Sequence, residues 1–221
     1  MNNIKIDLNN AVGILKTEGW FAVIKRGLRH VFYSKEYYYI YEKDLREYLD
    51  VRLNPNIECE FKIVSNFDDF NELVKQKYNF DIDSIKPKLK TGAIGFCIFV
   101  EKTLASITWV AQNEKAKKLI DILPFAVDYT AGEVCSGGSY TDPKYRGNGL
   151  LKYDYSYIFK YLKDHGCTKD KFTVNMNNIP SNTAMSKFQP KIIGEGCNLK
   201  VLLWKKWTQK TSGKVKYDSS L

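Results

Sequence analysis

The chain has 221 residues, 44% of them hydrophobic and 14% aromatic, with a formal net charge of +9. That is enough for one sizeable core, and one domain with an extension fits better than two equal domains. No apolar run approaches the ~18 residues of a membrane span, and five scattered cysteines without a CxxC, beside only His30 and His165, argue against a disulfide framework and a zinc site.

The cysteine usage suits a reducing cytoplasm, and the N-terminus "MNNIKIDLNN" lacks the charged and apolar regions of a signal peptide. The positive balance suits an anionic partner (nucleic acid, acidic lipid or a phosphorylated cofactor) or simple solubility. Residues 1–50 read as a basic helical extension. Val12, Leu15, Trp20, Val23, Ile24, Leu28 and Val31 recur at helical steps, with Lys25, Arg26 and Arg29 between them. Such a stripe packs on its own domain or lies on an anionic membrane, so residues 1–33 are a candidate peripheral membrane contact. "EYYYIYEKDL" reads as a short strand, its aromatics fitting hairpin or core packing better than base stacking, and no nucleic-acid partner is expected.

From Ile57 the pattern changes. "IECEFKIV" alternates as a half-buried strand. A helix follows, capped by Ser65 or Asn66, with Phe70, Leu73 and Val74 on one face. "GAIGFCIFV" and "ASITWVA" around "EKTL" predict an antiparallel hairpin, and "NEKAKKLIDILPFAVDYT" an irregular or partly helical crossing. "GEVCSGGSYT" is a strand in which Gly137 and Gly138 mark a bulge or a close backbone approach. The helix after Gly149 places Leu151, Tyr155, Ile158, Phe159 and Leu162 on one face and stops at Gly166, with His165 and Cys167 as loop residues. "KFTVNM" predicts a strand, "IPSNTAMSKF" a short helix from Ile179 or Pro180, and "KIIGEG" and "NLKVLLWKKW" two final strands. Residues 209–221 read as a polar, frayed tail.

The chemistry concentrates in "SYTDPKYRGNGLLKY". Strand, glycine-rich turn and helix gather free N–H groups at the positive end of a helix dipole. Gly147 and Gly149 let an anion approach the main chain, while Lys144 and Arg146 add charge. The same residues also suit an ordinary strand-to-helix turn. No GKS or GKT follows, so this is not a Walker loop.

Thr141, Pro143, Tyr145, Arg146, Gly147 and Gly149, with Leu151 in place of the usual Gly or Ala, resemble the pyrophosphate loop V-x-P-x-Y-R-G-x-G-x-G/A of the GNAT superfamily of acyl-CoA-dependent N-acyltransferases. Asn178, Ser181 and "KIIGE" from Lys191 to Glu195 resemble a second pattern of that family, Gln189 and Pro190 replacing its G-F pair and Phe188 keeping the apolar position. The resemblance covers Ile57 to about Trp207. It implies an α+β fold: a central mixed, mostly antiparallel sheet flanked by helices, over residues 51–208. It also implies acetyl-CoA or another acyl-CoA as cosubstrate, no metal, a small-molecule primary amine as acceptor, and direct attack of that amine on the thioester. A homodimer is open.

In that resemblance the main chain of Arg146, Gly147, Asn148, Gly149, Leu150 and Leu151 holds the pyrophosphate. Ser139, Tyr140 and Thr141 pair with pantetheine where two strands splay, and Asn178 and Ser181 contact the cofactor arm. Glu133 is the candidate general base, as the only carboxylate in "GEVCSGGSYT", or else a strand-entry charge. The position of the family's acid tyrosine is Met185, which leaves open a member that binds acyl-CoA without turnover.

Overall fold

The computed structural model of the protein describes residues 33–51, 53–202, 204–211 and 216–219. The helical stripe and most of the membrane contact expected of residues 1–33 lie outside the described residues. The strands are β1 (Tyr33–Asp44), β2 (Glu60–Val64), β3 (Ile94–Val100), β4 (Thr103–Ala111), β5 (Glu133–Thr141), β6 (Lys169–Asn175), β7 (Lys191–Val201), β8 (Trp204–Thr211) and β9 (Lys216–Ser219). The helices are α1 (Phe67–Lys75), α2 (Ile82–Lys90), α3 (Glu114–Ile120), α4 (Leu150–Asp164) and α5 (Ile179–Ser186).

The strands form one sheet in the order β2-β3-β4-β5-β6-β1-β7-β8-β9. Every pair is antiparallel except β5 with β6. This is the mixed, mostly antiparallel sheet expected from the sequence. Helices cover both faces. On one, Phe70, Leu73, Ile85, Leu89, Ala116 and Ile120 of α1–α3 pack with Cys97, Phe99, Ile107, Trp109 and Cys135. On the other, Tyr155, Ile158, Phe159 and Leu162 of α4, with Met185 of α5, pack on Phe96, Val110, Val134 and Phe172. The alternation of inward residues along β3 and β4 sorts most of them between these two cores, while Ile98 and Ala105 join a smaller cluster with Tyr145 and Leu150.

Local signals explain most of these elements. Asn66 caps α1, its side chain accepting the N–H groups of Asp68 and Asp69 at 2.8 and 2.9 Å. The β3–β4 hairpin turns through Glu101 and Lys102, both at positive φ (49° and 62°), as a two-residue turn matched to strand twist requires. Gly166, at φ +76°, follows the last turn of α4.

Three expectations are corrected, and one helix was not foreseen. Residues 33–44, placed with the extension 1–50, form β1 in the middle of the sheet, paired with β6 on one side and β7 on the other. "DIDSIKPKLK" forms α2, for which the sequence carries no clear helical pattern. Asp81 caps it despite an internal Pro87, a residue that costs the helix a hydrogen bond. "KIIGEG" and "NLKV" are one continuous strand, β7; the chain reverses near Leu202, at φ 55°. The tail from 209 is not frayed throughout, since β8 runs to Thr211 and β9 pairs with it.

Candidate functional site

The loop between β5 and α4 is fixed by its own polar side chains. Asp142 accepts the Lys144 N–H at 2.8 Å, starting a single 3-10 turn over Pro143–Tyr145. The Tyr145 ring is buried with Ile98, Ala105 and Leu150 and anchors the turn to the sheet. Asn148 Nδ2 donates to the Tyr145 carbonyl at 3.0 Å, and the Asn148 carbonyl accepts the Asn56 N–H at 3.0 Å. Gly149 enters α4 at φ +75° and offers no capping side chain. As a result the N–H groups of Gly147, Asn148, Gly149, Leu150, Leu151 and Lys152 have no hydrogen-bond partner among the described residues. They line one turn at the positive end of a 15-residue helix, the arrangement that attracts an anion. Leu151 contributes through its main chain, so its bulk does not remove a donor. Arg146, grouped with these donors in the sequence, differs: its N–H donates to the Pro143 carbonyl at 3.4 Å and its Nε to the Thr141 carbonyl at 3.0 Å.

Beside this loop the sheet opens. The parallel ladder of β5 with β6 holds only Glu133↔Lys169, Val134↔Asp170 and Cys135↔Lys171. Beyond it β5 pairs with β4 as far as Thr141, while β6 pairs with β1 as far as Asn175. The two strands therefore diverge from Ser136 and Phe172 onward, leaving a wedge whose β5 wall carries Ser139, Tyr140 and Thr141. Gly138, Ser139 and Tyr140 are exposed. Asp170 sits at the apex. Its carboxylate accepts the Ser136 N–H at 2.8 Å and the Ser136 hydroxyl at 2.6 Å, replacing a ladder bond with a side-chain bond. Burial pushes the Asp170 carboxyl up to about 7, against the pull of the two Ser136 bonds.

The double glycine does mark both a bulge and a close approach. The β4–β5 register shifts between Ile107 and Trp109. Gly138 has φ +58°, and a Cβ there would lie 3.3 Å from the Ile120 carbonyl oxygen. What comes close is the end of α3.

That approach brings in a carboxylate the sequence did not single out. A Cβ on Gly137 would lie 3.5 Å from the Asp121 Cβ, and Asp121 Oδ2 accepts the Thr173 hydroxyl of β6 at 2.6 Å. Asp121 thus reaches from β5 to β6 on the α3 side of the wedge. Its other oxygen accepts the Leu123 N–H at 2.9 Å. Burial raises its pKa, with the Thr173 and Leu123 bonds and the Lys117 ammonium opposing. In the sequence it stands within "NEKAKKLIDILPFAVDYT", expected as an irregular or partly helical crossing.

Glu133 lies elsewhere. It opens the paired end of β5, is 8% exposed, and its Oε2 binds Lys171 Nζ at 2.5 Å and the Asp128 N–H at 2.8 Å. It stands before the point where the strands part. Asn178 and Ser181 bond each other: the Asn178 side chain caps α5 by accepting the Ser181 N–H at 3.2 Å. Met185 is buried in the α4–α5 core. Tyr155, read as core, is core, and its hydroxyl lies 3.2 Å from Ser136 Oγ. His165 stacks on Tyr161 in the exposed turn after α4. Among the described residues, no group of three His, Cys, Asp or Glu is placed to hold a metal ion, and no helix is long and apolar enough to cross a membrane.

No family model and no curated protein matches the sequence. Solved structures do match the fold. An acetyltransferase of the GNAT family from Colwellia psychrerythraea superposes with a TM-score of 0.50 at 9% identity, over 83% of this chain and 62% of that one. A GCN5-related N-acetyltransferase-like protein from Streptococcus suis matches at 0.47 and 14% identity, over 84% and 69%. A GCN5-related N-acetyltransferase from Sphaerobacter thermophilus matches at 0.45 and 9% identity, over 90% and 59%. The chain spans less than two thirds of the length of the Colwellia structure. At such identities the likeness is one of fold alone, the fold seen in the GNAT-family acetyltransferase from Colwellia psychrerythraea.

Proposed function

We propose that this chain, folded as a GNAT domain, is an N-acyltransferase that moves an acetyl or other acyl group from acyl-CoA to a primary amine of a small molecule or amino sugar. The observation that carries the proposal is the row of partnerless N–H groups from Gly147 to Lys152 beside a wedge between parallel strands. A pyrophosphate is the anion suited to such a row, and an extended pantetheine arm suits a strand edge. The chain offers both, side by side, so the acyl-CoA fits the residues present.

In this proposal Gly147, Asn148, Gly149, Leu150 and Leu151 hold the pyrophosphate through their N–H groups, and Lys152 adds one more. Arg146 contributes charge rather than a main-chain donor. Ser139, Tyr140 and Thr141 offer the strand edge to the arm, and Asn178 and Ser181 border it from α5. When bound, acyl-CoA supplies an activated thioester. The protein's part is to align the arm, exclude water around it, and give the attacking amine a proton acceptor. The site calls for no metal and no nucleic acid, and acyl-CoA use is compatible with the cytoplasm.

A second reading, an acyl-CoA-binding module without turnover, is favoured by Met185, buried at 1% where the resemblance puts an acid. Thermal unfolding with CoA or acetyl-CoA tests what both readings share. At 100 times its Kd a ligand stabilises by about 2.7 kcal/mol, and no shift with either compound removes the cofactor assignment. Thiol release from acetyl-CoA with a panel of amines then separates enzyme from module.

A further inference from the structure

We propose that Asp121, rather than Glu133, accepts the proton of the attacking amine. The inference rests on the acyltransfer reading above and adds the proton acceptor on the acceptor side of the wedge.

Position is the first argument. In this proposal the amine approaches where β5 and β6 separate, on the face opposite α4. Asp121 stands there: it is adjacent to Gly137, the second β5 residue past the parallel ladder, and bonded across the wedge to Thr173 of β6 at 2.6 Å. The α3 face is the one opposite α4. Glu133 is two residues inside the ladder and bound to Lys171.

Accessibility is the second argument. Asp121 is partly exposed, whereas Asp154 and Asp170 are fully buried. The groups facing Asp121 come from every element around it. Lys117 of α3 is 2% exposed, its ammonium donating to the Leu123 carbonyl at 2.6 Å and lying 4.2 Å from the Phe125 ring centroid. Thr173 comes from β6, Cys135 from β5 and Tyr38 from β1. Tyr38 donates to Glu36 at 2.8 Å, and its pKa is pushed up to about 12, chiefly by burial, so it stays neutral beside Asp121. The raised pKa of Asp121 makes its carboxylate a stronger base than a solvated one.

The neutral amine nitrogen bonds to the acyl carbon and one of its protons passes to Asp121. The carbon–sulfur bond breaks, the thiol leaves with a proton from water, and Asp121 returns its proton to solvent.

The test uses the full chain as wild type, Asp121→Asn and Thr173→Val. CoA affinity is measured by calorimetry, the Asp121 carboxyl is titrated by carbon-13 NMR, and thiol release from acetyl-CoA is followed against pH with ethanolamine, glucosamine, lysine and spermidine. The expected result is unchanged CoA affinity in Asp121→Asn, loss of one aspartate resonance titrating above the ordinary carboxylate range, and thiol release at least 100-fold slower. Thr173→Val, which removes a bond favouring the ionised form, should move both the NMR titration and the alkaline-rising limb of the rate to higher pH. Wild-type protein that fails to bind CoA overturns the acyltransfer reading itself. CoA binding with full turnover in Asp121→Asn, or with no thiol release from wild type for any amine, overturns the role of Asp121 and leaves the cofactor site standing.

Discussion

Asp154 is where burial and charge conflict most openly. It is fully buried in α4, neither carboxylate oxygen has a partner in good hydrogen-bond geometry among the described residues, and burial raises its pKa well above the usual carboxylate range, with the Thr108 side chain as the one group opposing the rise. A folded-state pKa above the unfolded one means the native state binds more protons, so this group subtracts stability as pH rises from about 4 toward the folded value. Asp154→Asn should therefore match wild type near pH 4 and gain over it at up to about 1.4 kcal/mol per pH unit above that, by urea unfolding at a series of pH values. A constant difference across pH would mean that Asp154 is ionised in the native state. The spacing that marks the apolar face of α4 also carries Asp154, three residues after Leu151 and four before Ile158, though the sequence analysis did not single it out. Asp121 was not legible, because its partners Gly137 and Thr173 are brought to it only by the sheet. The same holds for Glu133, whose role depends on Lys171, 38 residues away.

The wedge depends on the elements that border it. Gly138 lets the end of α3 approach β5, and an L residue at φ +58° is strained by about 1–2 kcal/mol. Gly138→Ala should lower stability by about that amount, and by displacing the Ile120 carbonyl it should also weaken CoA binding; a variant as stable as wild type would show that the bulge is not fixed by this glycine. At the closed end the Glu133–Lys171 pair joins β5 to β6, with side chains 9% and 13% exposed. Removing one partner from a buried pair costs about 3 kcal/mol. Lys171→Met should cost about that in chemical denaturation, and Glu133→Gln with Lys171→Met should recover most of it. Additive losses would rule out coupling of the pair. Elements with local signals, such as α4, the β3–β4 hairpin and the Asn66 cap, were readable from the sequence. Others were not. Pro87 disguised α2, and β1 reads as an isolated aromatic strand until β6 and β7 close on both sides of it.

At the scale of the molecule, one topological feature creates the site. In a sheet otherwise antiparallel, β5 and β6 run parallel, and after three residue pairs each follows its antiparallel neighbour, β4 or β1. The helix between them, α4, then presents its N-terminus at the mouth of the opening. The motif in Thr141 to Leu151 signalled this arrangement from sequence, because glycines, helix start and strand end are all local. The α3 side of the wedge was hidden, since it is assembled from α3, β1 and β6. Calorimetric titration with CoA and with pantetheine, which lacks the pyrophosphate, decides whether this wedge and loop hold acyl-CoA. Saturable one-to-one binding of CoA, with pantetheine at least ten times weaker, is the predicted result. No binding of CoA, or pantetheine binding as tightly as CoA, would contradict it.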